Sequence, residues 1–290
     1  MAAETTGGAN IESTARWTAA VRAQESARDD ALFTDPWAAA LAGDEGMAWL
    51  AQRPPGSGLP MALRTRYFDD FLLRIVVEKG IRQLVMLAAG LDTRTFRLAL
   101  PAETSVFELD KPAVLRYKAQ VLAQAGAAPA CTRVAIEADL TEPWTEVLIA
   151  QGFDASQPAG WLLEGFLFYL PPAAITRILD GVSALAVSGS WLGFDIVNNA
   201  VLTSPWTRPW VDMQAQAGAP WLGTMEDPVA FLAERGWLAA LTQAGAPDAN
   251  YGRWTLPVIP PTAPDLPHNW YVTAHRQESA ATTIPGSDAR

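Results

Sequence analysis

The stretch Leu84-Val85-Met86-Leu87-Ala88-Ala89-Gly90-Leu91-Asp92-Thr93-Arg94, followed by Val106-Phe107-Glu108-Leu109-Asp110, constrains the fold more than any other part of the chain. It reads as a buried strand, a tight glycine turn, a helix start, and a second strand that ends in carboxylates about 20 residues on. That layout holds a nucleoside at the edge of a parallel sheet. A dinucleotide would need three glycines spaced G-x-G-x-x-G, because its pyrophosphate lies against bare backbone at a helix N-terminus. Only Gly90 is present here, and the carboxylate of Asp92 would repel phosphate oxygens.

An adenosine ligand without phosphates fits this turn better, and S-adenosylmethionine (SAM) is the common one. The rest of the pattern agrees with a sheet built for it. Strands are expected at about 83–89, 104–109, 132–136, 160–164 and 190–197, with helices near 93–99, 111–125, 143–151 and 172–187. Apolar strands alternating with helices give an α/β fold whose parallel, doubly wound sheet is covered on both faces. Ahead of the first strand, helices are expected over 12–28, with Ser13 or Thr14 as N-cap, and over 36–51, entered through Asp35-Pro36. A third, over 61–79, carries apolar residues at a 3.6-residue period and ends at Gly80. Beyond 198 the alternation breaks, and 199–227, with Trp206, Trp210 and Trp221 among prolines, reads as a lid inserted after the fifth strand. A helix near 228–244 and a late strand, Trp270 to His275, return to the sheet. One domain is expected: a helical cap (1–60), a cofactor-binding core (61–198), the lid (199–227), the end of the core (228–276) and a polar, flexible tail (277–290).

Composition excludes several classes. The chain has 290 residues, is 18% charged with a net charge of −10, and shows no basic stripe for a phosphate backbone, so nucleic acid and anionic membranes are poor partners. One cysteine and two histidines leave no disulfide framework and no zinc site. No signal-like N-terminus or long apolar span is present, so a soluble, unprocessed cytoplasmic protein is expected. Twelve tryptophans are many for this length. Several of them, Trp206, Trp210, Trp221, Trp237, Trp254 and Trp270, either fill a large core or line a pocket for a flat apolar substrate.

In open α/β sheets the ligand lies beyond the carboxyl ends of the strands. The strand ends offer Gly90, Asp110, Asp139 and Glu164 in turn, acceptors suited to ribose hydroxyls and an exocyclic amine. Each has a plainer alternative: Gly90 relieves a turn, Asp110 caps the helix at Lys111-Pro112, and Asp139 caps a turn. Glu164 is harder to dismiss, because an unpaired carboxylate inside Trp161-Leu162-Leu163-Glu164-Gly165-Phe166-Leu167 would cost several kcal/mol. Arg64 shares a helical face with Phe68, Phe71 and Ile75, which holds its head against protein. Arg66 stands four residues before Asp70, the spacing of a surface ion pair. Either guanidinium is suited to the carboxylate of a methionine moiety.

Taken together, Arg64-Thr65-Arg66-Tyr67-Phe68-Asp69-Asp70, Ala88-Ala89-Gly90-Leu91-Asp92-Thr93-Arg94, Phe107-Glu108-Leu109-Asp110-Lys111-Pro112 and Glu164-Gly165-Phe166-Leu167-Phe168-Tyr169-Leu170 resemble the leucine carboxyl methyltransferase family over about residues 16 to 199. The likeness is greatest to its bacterial branch of O-methyltransferases, which includes polyketide carboxyl methyltransferases. The resemblance implies a class I SAM-dependent methyltransferase fold. It implies Arg64 on the methionine carboxylate, with Arg22 as a second candidate, and Gly90 against the methionine part. By the same match Asp110 takes the ribose, Asp139 and Leu140 the adenine, and Glu164 faces the amino acid end.

Methyl transfer from a sulfonium is an in-line displacement, so the protein has mainly to align the nucleophile and exclude water. A carboxylate arrives ionised, whereas a phenol is helped by a general base. The one base candidate is His268, since only it and His275 supply imidazole near the last strand. The expected activity is therefore O-methylation of a small aromatic or polyketide-like acid to a methyl ester, with S-adenosylhomocysteine (SAH) as by-product and no metal. Phenolic methylation and a SAM-fold binding protein without methyl transfer are the alternatives. A nicotinamide oxidoreductase lacks its glycines here and its Tyr-x-x-x-Lys pair.

Overall fold

The computed structural model describes residues 7–263 and 265–277. The flexible tail expected over 277–290 lies, apart from Gln277, outside the described residues, as does the start of the N-terminal stretch. Seven strands form one sheet in the order β3-β2-β1-β4-β5-β7-β6. The first five, β1 (Gln83–Leu87), β2 (Ser105–Asp110), β3 (Thr132–Glu137), β4 (Ala159–Leu163) and β5 (Trp191–Val197), are parallel. β6 (Trp237–Gln243) and β7 (Asn269–Arg276) are antiparallel to their neighbours. Chain order reverses between β1 and β4, which opens a crevice above their carboxyl ends.

Both faces of the sheet are covered, as continuous apolar strands require. On one face α3 (Leu59–Val77) sets Phe68, Phe71, Leu72 and Ile75 against Leu84, Met86, Val106 and Leu162. On the other, α6 (Trp144–Ala150) and α7 (Pro172–Leu185) enclose Trp161, Leu163, Phe194 and Ile196. Short α4 (Arg94–Arg97) and longer α5 (Pro112–Gln124) follow β1 and β2. The N-terminal helices α1 (Gly7–Ser26) and α2 (Ala38–Ala51) pack through Ala19, Ala20, Leu41 and Ala42 onto Leu91 and Val114, and so sit over the turn after β1.

Three local expectations are corrected. Thr14 lies inside α1, which begins at Gly7, and so is not its N-cap. Asp35 stands two residues ahead of Trp37, the N-cap of α2, and closes the turn before the helix: its Oδ1 accepts the Trp37 N–H at 3.2 Å while its Oδ2 accepts from Arg22 and Thr93. The helix expected over 228–244 is a short α10 (Pro228–Ala233) followed by β6. The alanines and leucines of Trp237-Leu238-Ala239-Ala240-Leu241 favour helix intrinsically, but pairing with β7 overrides propensity at this sheet edge. The segment 199–227 contains α8 (Asn199–Thr203) and α9 (Arg208–Gln216) and no strand. No helix among the described residues is long and apolar enough to cross a membrane.

Candidate functional site

A cavity of about 710 Å³ opens above the carboxyl ends of β1, β2 and β4 and continues under α1, α9 and the loop before β7. Its size is that of a site for a cofactor together with a small molecule. Arg22, Arg64, Gly90, Asp110, Asp139, Leu140 and Glu164 all line it, although they come from α1, α3 and four different strand ends. Arg66 does not. Its guanidinium pairs with Asp70 at 2.9 Å and donates to the Leu32 carbonyl, in the half-exposed arrangement that its spacing suggests.

The floor of the cavity is a chain of buried ion pairs. Arg64 donates from Nε to Glu164 (2.9 Å) and from Nη1 to Asp195 (2.7 Å). The other oxygen of Glu164 lies 2.7 Å from Nη1 of Arg94. Arg94 also pairs with Asp69 (2.6 Å) and Asp92, and Asp69 in turn accepts from Arg97. This answers the cost expected of Glu164: the carboxylate is buried but faces two guanidiniums. Burial pushes its pKa up, yet Arg94 and Arg64 outweigh burial and hold it below the ordinary carboxylate range. Asp195 is wholly buried, and there burial wins, so its pKa is raised despite Arg64 and the Gly165 N–H. In the network three guanidiniums (Arg64, Arg94, Arg97) meet four carboxylates (Asp69, Asp92, Glu164, Asp195). As ionised groups these leave one excess negative charge.

Asp110 does not cap the following helix, whose N-cap is Lys111. Its two oxygens accept the N–H groups of Gly90 (2.6 Å) and Lys111 (2.7 Å), tying the β2 end to the β1 turn. Burial raises its pKa against these two bonds. The Glu108 carboxylate two residues earlier is absent from the cavity lining and is consumed by Lys118, Arg133 and Thr95. Asp139 does close a turn, accepting from both the N–H and the hydroxyl of Thr141, while still lining the cavity. Arg22 bonds Asp35 (2.9 Å) and the Leu91 carbonyl (2.6 Å), which fastens the cap to the β1 turn.

His268 is placed differently from its expected role as a base. Pro267, Asn269 and Tyr271 line the cavity, so the alternation of an extended chain turns His268 and Trp270 to the opposite side. His268 is buried there, stacked on Trp270, with Nδ1 3.1 Å from Gln243 Oε1 and Nε2 2.9 Å from the Ala263 carbonyl. Both ring nitrogens are thus engaged, Nδ1 by Gln243, which itself lines the cavity, and His268 does not line it.

The tryptophans divide between the two roles. Trp237 and Trp270 belong to the core. Trp206, Trp210, Trp221 and Trp254 line the cavity, joined by Trp17 of α1 and by Phe168 and Tyr169. Trp17 packs on Trp210 at 5.4 Å between centroids and Trp221 on Phe168 at 4.5 Å. Arg94 and Asp195, as the hub and the anchor of the ion-pair chain, are not singled out by sequence reasoning. For Asp195 the available signal is a charge within the apolar strand β5, of the kind that marks Glu164; Arg94, at the start of α4 beside Asp92 and two threonines, carries no such signal.

Comparison with known proteins agrees with this geometry. The leucine carboxyl methyltransferase family profile matches residues 15–183. A protein of Mycolicibacterium vanbaalenii assigned as an S-adenosyl-L-methionine-dependent methyltransferase is 35% identical over 93% of this chain and 96% of its own length. One from Streptomyces coelicolor, assigned likewise, is 39% identical over 84% of this chain and 87% of its own. Among solved structures, a Thermobifida fusca protein assigned as a methyltransferase shares the fold with a TM-score of 0.61 at 19% identity, over 91% of this chain and 94% of that one. A DUF574 family protein of Streptomyces avermitilis does so with a TM-score of 0.59 at 18% identity, over 91% and 97%. With the class I methyltransferase sheet and a profile match that spans more than half its length, the chain belongs to the leucine carboxyl methyltransferase family.

Proposed function

We propose that this SAM-dependent methyltransferase transfers the methyl group to an oxygen, and that the oxygen belongs to the carboxylate of a small aromatic or polyketide-like acid, giving a methyl ester. The cofactor fits the residues present. The methionine end of SAM carries a sulfonium, an ammonium and a carboxylate, one net positive charge, against a network with one excess negative charge. Asp110 accepts the ribose hydroxyls on lone pairs left beside its two backbone bonds, and Asp139 and Leu140 flank the adenine. Glu164 faces the ammonium. Arg64 has Nε and Nη1 committed to Glu164 and Asp195, which leaves Nη2 for the carboxylate. When bound, the cofactor supplies an electrophilic methyl group, and the protein's part is alignment and exclusion of water.

The observation that carries the carboxylate reading is the lack of a free base beside an aromatic wall. No histidine lines the cavity among the described residues, Asp92 and Glu164 are bound to arginines, and the two other carboxylates of the lining, Asp110 and Asp139, are in this reading taken up by the ribose and the adenine. Burial raises the pKa of Tyr169, so its phenol keeps its proton. A nucleophile that enters this site already ionised needs no base, as a carboxylate does and a phenol does not. The test is transfer of a labelled methyl group from SAM to a panel of aromatic acids and phenols, followed by mild alkali. Label released by alkali is the expected result. Label that survives alkali on an aryl ether would replace the carboxylate reading with the phenolic one.

A further inference from the structure

Across the sheet, the residues assigned to the cofactor follow the strand order: Asp139 after β3, Asp110 after β2, Gly90 after β1 and Glu164 after β4. The next strands in that order are β5 and β7. β7 runs antiparallel, so its first residue, Asn269, lies at the same edge of the sheet, opposite Val197 at the end of β5. Asn269 and Val197 both line the cavity, and so does Tyr271, two residues on and therefore on the same face of β7. Tyr271 pairs across with Asp195, the carboxylate that holds Arg64 and the Gly165 N–H. Asn269 thus stands two residues beyond the anchor of the floor and two strand spacings, roughly 10 Å, from the β4 end that carries Glu164. With the cofactor over the ends of β3 to β4, this is the side on which the acceptor enters.

Among the described residues three side-chain amides line the cavity, and they differ in what they bond. Gln243 donates from Nε2 to the Ile259 carbonyl and has Oε1 3.1 Å from Nδ1 of His268. Gln214 accepts from Arg53 at 3.4 Å. Asn269 bonds at neither end: its Oδ1 is buried without a partner, and its Nδ2, equally without one among the described residues, is the end left open to the cavity. Asn198, just after β5, is the contrast, with Oδ1 accepting the His268 N–H and Nδ2 donating to the Leu266 carbonyl, both at 2.9 Å. An amide held in a cavity wall without a partner costs the fold stability that is recovered when a ligand completes it.

We propose that Asn269 binds and aims the methyl acceptor: its Nδ2 N–H groups hold one oxygen of the acceptor's carboxylate while the other oxygen faces the methyl group. This rests on the carboxylate-methylation reading and adds the residue that orients the nucleophile. The amide suits the task because it donates without carrying charge. A guanidinium there would pair with the carboxylate and quiet its nucleophilic oxygen, whereas an amide orients it and leaves its charge to meet the sulfonium. In the transfer the methyl carbon leaves sulfur and bonds the carboxylate oxygen, the C–S electron pair stays on sulfur, and no proton moves. The ester keeps a carbonyl oxygen for the amide but has no charge, so its hold on the site weakens.

The probes are 1-naphthoate and methyl 1-naphthoate, which share a ring system and differ in charge, each titrated calorimetrically into the full chain with SAH at neutral pH. Asn269→Ala should weaken naphthoate about tenfold, the range of a hydrogen bond to a charged group, and the ester about threefold. Asn269→Asp is nearly isosteric but sets a carboxylate against the probe's own, so naphthoate should weaken about a hundredfold while the ester again loses about threefold. Thermal melts and SAH titrations near wild type in both variants are expected, since Asn269 makes no side-chain bond within the fold or at the cofactor end. Naphthoate that fails to bind wild type, that binds Asn269→Ala as tightly as wild type, or that Asn269→Asp weakens no more than the ester overturns the proposal and leaves the amide to water. A loss of SAH affinity equal to that of naphthoate overturns it too, and makes Asn269 a support of the floor. The underlying readings fail separately: SAH that does not bind wild type defeats the methyltransferase reading, and alkali-stable label defeats the carboxylate reading. SAH binding and alkali-labile label with an unchanged naphthoate titration in Asn269→Ala defeat only the assignment of this residue.

Discussion

The end of the cavity floored by the sheet and the end walled by tryptophans are held together by different forces. At the floor, Gly90, Asp110, Asp139 and Glu164 stand within a few residues of strand ends, and charges paired with charges fix their positions. At the far end the wall is gathered from α1, α9, the turn at Phe168 and the loop at Trp254, with aromatic rings on one another and few ionic contacts. The first arrangement suits an unchanging polar ligand, and every element of it depends on its neighbours. The second is a set of apolar surfaces in which one ring can be exchanged without disturbing the sheet. Division of labour within one cavity thus follows from which residues the β-sheet itself must position.

The largest expected effect breaks the floor. Removing one member of a buried pair leaves the other uncompensated and costs about 3 to 5 kcal/mol. Arg64→Ala strands Asp195, which is fully buried and has no other guanidinium partner among the described residues, and should lower stability by about that amount in denaturant melts. SAH binding should be lost in calorimetry. Adding Asp195→Asn removes the stranded charge and should recover much of the stability while leaving SAH binding absent. If both recover together, Arg64 serves the fold alone and the floor is not a cofactor site. Because the two side chains touch, their effects should be strongly non-additive.

The floor was legible for the same reason that it is fragile. Strand-end carboxylates fall in short motifs, and a charge within an apolar run, as at Glu164, announces a partner. Asp110 and Gly90 meet because parallel β1 and β2 pair in register, which the alternating pattern already requires. The far wall was not legible beyond its richness in tryptophan. Whether a given indole faces the core, as Trp237 and Trp270 do, or the cavity, as Trp210 and Trp254 do, is decided by helix and loop placements that no local pattern encodes. His268 shows the limit at a single residue: its neighbours 267 and 269 line the cavity, and one step along an extended chain turns it away. β6 was missed because its residues prefer helix and only its pairing with β7 makes it a strand.

Two glycines sharpen the comparison with a smaller effect. Gly165 has φ +68° and a Cβ there would sit 3.0 Å from Arg64 Nη2, while Gly245 has φ +86° and its Cβ would meet Trp254 Cδ1 at 2.2 Å. Alanine at either carries left-handed strain of about 1 to 2 kcal/mol. The functional consequences should differ. Gly165→Ala displaces a guanidinium pinned by two carboxylates and should weaken SAH binding severalfold. Gly245→Ala displaces a ring of the far wall and should leave SAH affinity near wild type while raising the acceptor KM in methyl-transfer assays. Equal loss of SAH affinity in both variants would mean that the two ends are not separable.

The smallest expected effect is in pH. Burial raises the pKa of Asp110 and Asp195, so both take up protons at a higher pH than an ordinary aspartate. Hydroxyl donors of a ligand favour ionised Asp110, and ionised Asp195 holds Arg64, so SAH affinity should fall, by up to about tenfold, as pH drops through these raised values. The fold responds with the opposite sign to these two groups. Their folded pKa values lie above the unfolded ones, so the folded state binds the protons more tightly and gains relative stability as pH falls. Glu164, held below its usual value by Arg94 and Arg64, contributes stability that is present above the unfolded carboxylate pKa and is lost only as pH falls through its lower folded value. A window therefore exists in mild acid where SAH binding weakens before the protein unfolds, and Asp110→Asn should flatten part of that slope. Methyl 1-naphthoate, neutral and placed against the aromatic wall, should bind with no pH dependence across the same window. A parallel decline for both ligands would show that acid loosens the whole cavity rather than its charged end.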